Sequence, residues 1–325
     1  MTGDSPHRGT PHGGAPYGGT AHALAVAALE WVARNRDGFR LGEDALAPDG
    51  DVNRSWKPLG ELAQICVTVL HGSHPGGELH QRAGELMDFA WRSTGDGALL
   101  MELQRLEPAS TYPLEIYAAF ASAGLRHPGY EDAAAVLART RGWRLTEQQP
   151  NRRLGILNSE RRCGLPARDD PSALLRRTWL GGLAEPWTFE RTTGYALTHT
   201  VFHLTDWGHD TGAVPDDLAD HLENWLPAWL DGCLEDQQWD LACELIAVAA
   251  VLPRPPAPAL VAPVFAELAA AQDASGALPE IGPGRAGRAV RSDFAGVYHS
   301  TLMAAFAASL VLARADGPAL KEAAR

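Results

Sequence analysis

The chain has 325 residues, 45% of them hydrophobic, and a formal net charge of -12 at pH 7. The apolar share supports a substantial core, and the acidic balance excludes a general nucleic-acid or anionic-membrane binder, since both need basic surface. Four scattered cysteines, Cys66, Cys163, Cys233 and Cys243, form no CxxC pair and point to a reducing cytoplasm without a disulfide framework.

Residues 1–20 are rich in Gly, Pro and Thr and lack the apolar segment of a secretory signal, so a disordered tail is expected. Residues 21–35 set Leu24, Ala27, Ala28, Trp31 and Val32 on one stripe, the pattern of an amphipathic helix. After a turn-rich segment, Pro58 opens a helix to residue 70 with Glu61 in its first turn, where an acid complements the helix dipole. A break at 71–76 precedes a helix over 78–91. Residues 111–125 repeat the layout: loop, proline, Glu115 in the first turn, then an apolar run ending at Gly124. A further helix is predicted at 130–141. Residues 142–170 are polar and arginine-rich and read as a long loop, either a substrate lid or a surface excursion.

A short helix at 171–181 leads to the most distinctive stretch, TTGYALTHTVFHLTDWG, predicted as one helix over 192–208. Helices follow at 216–230 and 237–252, the latter ended by the proline run PRPPAPAL. Residues 262–272 read as helix, 273–295 as loop, 296–315 as a strong final helix, and 317–325 as a flexible tail. The longest uninterrupted apolar runs, such as 245–252, are too short to span a bilayer.

Strand signals are nearly absent, so the fold class is all-α. The helices come in pairs. A tryptophan- and leucine-striped helix precedes one that is apolar nearly all round, and such a helix is buried on every side. That alternation predicts a single domain over 21–316: a closed ring of helical hairpins around a central cavity, with inner helices starting near 58, 112, 194, 238 and 297.

The proposed inner helices carry ligand-type side chains. His199, His203 and Asp206 fall at i, i+4 and i+7 and share a helix face. Asp240 and Glu244 are one turn apart on a second helix, and His299 opens a third. Imidazoles and carboxylates on facing helices can supply three or four ligands at about 2.0–2.2 Å, a set that suits zinc or iron(II). The alternative is a group of buried polar residues bonded to one another. Asp206 is expected to hold a neighbouring His or Arg. Asp231-Gly232-Cys233 is placed in a loop after an outer helix. Tyr117, Tyr195 and Tyr298 either line the cavity or donate protons. Glu61 and Glu115 are further acid or base candidates. Trp56, Trp187 and Trp207 are expected nearest the mouth. There is no GxGxxG, Walker loop or GxSxG elbow.

Over about fifty residues the chain resembles the α/α-toroid superfamily of squalene-type terpene cyclases and protein prenyltransferase β subunits. Gln272, Gly276 and Leu278 follow the Gln-x-x-x-Gly-x-aromatic repeat of the cyclases, with leucine in place of the aromatic. SDFAGVYHSTLMAAFAASL is similar to the prenyltransferase segment whose Tyr-His, here Tyr298-His299, opens an inner helix and whose histidine binds zinc. The resemblance implies an aspartate ligand about sixty residues earlier, a place that Asp240 fills. Two residues beyond it Ala242 stands where that family has its thiolate, with Cys243 next to it, and the acid motif DxDD of the cyclases is missing. THTVFHLTDWG also resembles an uncharacterised actinobacterial family.

The expectation is therefore an α/α toroid and an enzyme of specialised metabolism. A metal held by His199, His203, Asp240 or Glu244, and His299 would act as Lewis acid on a small or isoprenoid-like substrate, in a cyclase, lyase or transferase reaction. The competing expectations are metal-free acid/base catalysis by Asp240, Glu244, Glu61 or Glu115, with Tyr298 and a histidine as partners, and a non-enzymatic peptide- or protein-binding role.

Overall fold

The chain is seen in a computed structural model that describes residues 16–284, 287 and 289–315. The predicted C-terminal tail and most of the N-terminal one lie outside the described residues. Among these the fold is all-helical, with fourteen α-helices and no strand. They are α1 (Gly18–Arg34), α2 (Trp56–Gly72), α3 (Glu78–Ser93), α4 (Ala98–Leu106), α5 (Tyr112–Ser122), α6 (Pro128–Leu137) and α7 (Arg141–Leu145), then α8 (Pro150–Arg162), α9 (Pro171–Leu175), α10 (Arg191–Leu204), α11 (Asp216–Glu235), α12 (Trp239–Val251), α13 (Pro258–Ala271) and α14 (Phe294–Ala315).

Six helices contact their neighbours in an unbroken cycle: α2 on α5, α5 on α8, α8 on α10, α10 on α12, α12 on α14, and α14 back on α2. The others pack outside this cycle, α1 and α3 against α14 and α2, α4 against α5, α9 against α8, and α11 and α13 against α12. Composition explains the division. Every residue of α12 from Trp239 to Val251 is buried, as is nearly all of α14 from Gly296 to Val311. Alanines dominate both, which lets these two helices lie close together. One cavity is lined by the first halves of α2, α5, α12 and α14, by α8 from Arg152 to Arg162 and by the second half of α10. Gly72, Ser122, Arg162, Gly208 and Ala313, near the C-terminal ends of α2, α5, α8, α10 and α14, surround another, and Val251, ending α12, lies against Gly208. The six helices therefore run parallel.

Several sequence expectations are revised. Residues 142–170 are not a loop: they hold α7 and the inner helix α8, whose buried positions include Arg153, Asn158, Ser159 and Glu160. Polar residues on the buried side erased the apolar stripe that would have marked the helix. Helix α4 was also unanticipated. Helix α10 stops at Leu204, because Asp206, Trp207 and Gly208 all take positive φ (49°, 56° and 92°). Asp206 thus leaves the face shared by His199 and His203. Helix α11 runs on to Glu235, so Asp231-Gly232-Cys233 is helical and Cys233 is a buried packing residue. Helix α14 is long and apolar enough to cross a membrane, but 83% of its most apolar stretch is buried inside the protein, as a core helix would be.

The Gln272–Leu278 motif fastens the last inner helix. Gln272 Nε2 donates to the carbonyls of Gly276 (2.9 Å) and Leu24 (3.3 Å), joining the loop to α1. Leu278 N donates to Thr301 Oγ1 at 2.9 Å and its carbonyl accepts from Ser300 Oγ at 2.5 Å, which fixes the register of α14 beside His299. Gly276 has φ 91° and rests on the Ala27 carbonyl, so a Cβ has no room there. Gly276→Ala should therefore destabilise the protein by at least about 1 kcal/mol, measured by urea unfolding of wild type and variant.

Candidate functional site

The cavity encloses about 420 Å³ and takes side chains from all six inner helices. Helix α10 enters it through a reciprocal capping box between Glu190 and Thr193, which satisfies free backbone donors at the helix start. Gly194 lets α12 approach: a Cβ there would stand 2.9 Å from Leu241. On α12, Asp240 and Glu244 share a face one turn apart and are 2% and 0% exposed.

Asp240, Glu244 and His299 each present one ligand-type atom, and the three atoms lie within 4.8 Å of one another. His299 Nε2 is 3.6 Å from Asp240 Oδ1 and 3.7 Å from Glu244 Oε1. His199 Nε2 is 3.7 Å from the same Glu244 oxygen. Two ligands bound at about 2.1 Å in tetrahedral geometry stand about 3.4 Å apart, so these separations are close to those of a tetrahedral ion. Asp240 Oδ1 and Glu244 Oε1 are buried and accept no hydrogen bond.

The remaining atoms of these side chains are anchored. Tyr195 Oη donates to Asp240 Oδ2 at 2.7 Å, and Thr198 Oγ1 donates to Glu244 Oε2. His299 Nδ1 meets Glu61 Oε2 at 3.0 Å. A carboxylate only accepts, so Nδ1 carries the proton and Nε2 is turned toward the cluster. Outer partners of this kind fix the tautomer and orientation of metal-binding histidines.

The electrostatics are strained in a consistent sense. Burial disfavours a charged His299, yet Asp240 and Glu61 outweigh it and hold its pKa well above the ordinary value. Burial also raises Asp240, opposed by His299 and reinforced by Glu244. Glu244, although fully buried, is pulled down by His199 and His299. Glu61 is lowered too, since His299 and Lys57 overcome its burial. The cluster thus holds a proton on His299, which a bound cation would have to displace.

Other candidates sit elsewhere. Glu115 lines the cavity but accepts from Arg152 Nη2 at 2.6 Å, apart from the cluster. Tyr298 is buried beside Glu61 and stacks on Phe294. Tyr117 lies outside the cavity, bonded to Glu131 and the His127 N–H. Of the three tryptophans only Trp207 lines the cavity; Trp56 is in the core and Trp187 is exposed. His199 and His203 both line the cavity, but the cluster within 4.8 Å includes neither, and neither ring nitrogen of His203 has a partner. Gly155 makes room for that ring, since a Cβ there would stand 2.9 Å from it. Asp206 lies 3.6 Å from Arg162, in keeping with its expected role of holding an arginine. Sequence reading missed Gly155, Gln64 and Arg162 as cavity residues. The one signal for α8 was Pro150, which starts it as Pro113 starts α5.

Burial, reinforced by His199, Arg152 and Arg162, holds the His203 pKa well below 6.5. The unfolded chain therefore takes up a proton here that the folded chain refuses. His203 costs no stability above about pH 6.5 and up to about 1.4 kcal/mol per pH unit below it. His203→Gln should flatten the acid limb of a stability-versus-pH curve measured by urea unfolding between pH 7.5 and 5.

No curated protein and no solved structure matches the chain. A family model described as "Domain of unknown function (DUF6895)" matches residues 25–309, which take in the inner cycle up to the last turns of α14 and every residue of the 420 Å³ cavity, and the chain belongs to that family.

Proposed function

We propose that this protein is a metal-dependent enzyme of specialised metabolism, built as an α/α toroid and acting on a small molecule in its central cavity. The carrying observation is that Asp240 Oδ1, Glu244 Oε1 and His299 Nε2 converge with the carboxylate oxygens unpaired, while Tyr195, Thr198 and Glu61 hold the opposite atoms. His199, 3.7 Å from Glu244 Oε1 but outside the three-residue cluster, would move in as the fourth ligand, giving two nitrogens and two oxygens, a set that suits zinc or iron(II). His203 is left out of the ligand set. The closed cycle of six inner helices supports the toroid reading.

When bound, the metal would supply Lewis acidity to an oxygen of the substrate, as a cyclase, lyase or transferase reaction requires. The chain's own residues do the rest. Glu61 keeps one His299 proton on Nδ1, so that loss of the other would present the Nε2 lone pair to the metal. Tyr195 and Thr198 fix the free carboxylate oxygens of Asp240 and Glu244 in position. The apolar walls, among them Ile65, Phe202 and Met303, exclude water from the reacting groups. The four free cysteines support placement in the cytoplasm.

A second reading is favoured by the proton that His299 holds among Glu61, Asp240 and Glu244. In it the histidine is the general acid of a metal-free isomerase or cyclase, and the carboxylates set its pKa.

Elemental analysis of purified protein, with zinc or iron(II) supplied, separates the two. About one ion per chain is expected in wild type and in His203→Ala, and almost none in Asp240→Asn/His299→Ala. Tyr195→Phe should weaken metal affinity by about 10- to 100-fold, since it frees a ligand oxygen from its outer partner. Wild type that takes up no metal, or a double variant that keeps it, would overturn the metal reading.

A further inference from the structure

The cavity and the smaller one behind it, of about 270 Å³, share Gln64, Arg162 and Trp207, which therefore form the partition between them. Arg162 is the last residue of α8, and its side chain is only 6% exposed. Its Nε–H donates to Ser122 Oγ at 2.7 Å and Nη1 donates to Gln64 Oε1 at 2.6 Å. A guanidinium has five N–H donors, so most of its donor capacity is unspent. Asp206 lies 3.6 Å away, yet its Oδ1 accepts no hydrogen bond. His203 also lines the cavity, with both ring nitrogens buried and unpartnered. One N–H of the neutral His203 ring and the unspent N–H groups of Arg162 thus line the cavity beyond His199, whose ring centroid is 6.1 Å from that of His203.

We propose that the substrate is a small carboxylic acid whose carboxylate seats on Arg162 and His203, with its reacting group toward Asp240, Glu244 and His299. This rests on the reading of the cavity as the substrate site. The planar fork of arginine matches the two oxygens of a carboxylate. The guanidinium carries one positive charge, part of which Asp206 at 3.6 Å already offsets, so a monoanion suits it better than a dianion. The substrate is also short. Gln64, which holds Arg162, lies three residues beyond Glu61, about 4.5 Å of helix rise. The anchored acid and the reacting atom are therefore separated by only a few bonds. Gly155 and the Trp207 turn belong to the same device: one leaves the space that the His203 ring occupies, and the other closes the partition.

The test is calorimetric titration of the chelator-treated full chain with hexanoate, hexanamide and hexyl phosphate. Hexanoate should bind about tenfold or more tightly than hexanamide, and Arg162→Gln should remove that preference. Arg152→Gln, which alters the Glu115 side of the cavity, should keep it. If circular dichroism shows Arg162→Gln to be unfolded, His203→Gln carries the test and should bind hexanoate several-fold more weakly. No binding of hexanoate, no preference over hexanamide, a preference for hexyl phosphate, or unchanged binding in the folded variant would each overturn the proposal. Because the metal is removed, the outcome is independent of the metal reading. Preferential hexanoate binding in a protein that never takes up metal would leave this proposal standing and sink the other.

Discussion

Three carboxylates, Glu61, Asp240 and Glu244, surround one imidazole inside a ring of helices, and much of the structure serves to make that tolerable. An isolated buried charge costs several kcal/mol even after the protein relaxes. Parallel packing of six helices directs their N-terminal, partly positive ends at this mouth, which favours acids in the opening turns. Asp240 in the first turn of α12 and Glu115 in that of α5 use this field. The field is modest, and hydrogen bonds from Tyr195 and Thr198 satisfy only one oxygen of each α12 acid. The negative charge left over is the reason His299 keeps its proton.

The same parallel arrangement shapes the opposite end. Helix C-termini are partly negative, and there the chain places Arg162 and His71. His71 packs against His209 with ring centroids 4.5 Å apart, and burial holds its pKa low. Between the two ends Trp207 is held in place by a turn with two consecutive non-glycine residues in the left-handed region, each costing about 1 kcal/mol or more. The surroundings enforce that turn. Thr205 Oγ1 accepts the Gly208 N–H, and Trp207 packs on Phe202 and Phe306. A Cβ on Gly208 would press into Leu310, so glycine is required by both conformation and space.

Helical spacing made part of the site legible. Asp240 and Glu244 at i and i+4 on an all-apolar helix, and His299 at the start of another, had to face inward because those helices have no exposed side. His199 was placed instead by its one-turn spacing from His203, since α10 keeps an exposed side and the His199 side chain is 41% exposed. The argument failed for Asp206, where a left-handed turn broke the period, while His203 faces inward as its spacing implied and is seated against Gly155 on α8. Periodicity says which side of a helix a residue occupies and not how deep in the ring it lies or what stands opposite. Helix α8 escaped notice because its buried positions include Arg153, Asn158, Ser159 and Glu160, polar residues satisfied within the helix or by the flanking segments. Trp143, for example, donates to Glu160, and Asp169 accepts from Arg153.

By itself the sequence determined the all-helical class, the alternation of outer and inner helices, and the ligand-type residues on α10, α12 and α14. These follow from local periodicity and from the cost of exposing an apolar helix. Only the tertiary structure decided that Glu61 belongs to the His299 cluster, that Glu115 answers to Arg152 instead, and that Arg162 closes the cavity. Each of those pairings joins residues on different helices, up to 238 positions apart in the case of Glu61 and His299. Distances of that kind are set by how the ring closes, through packing that no local pattern encodes.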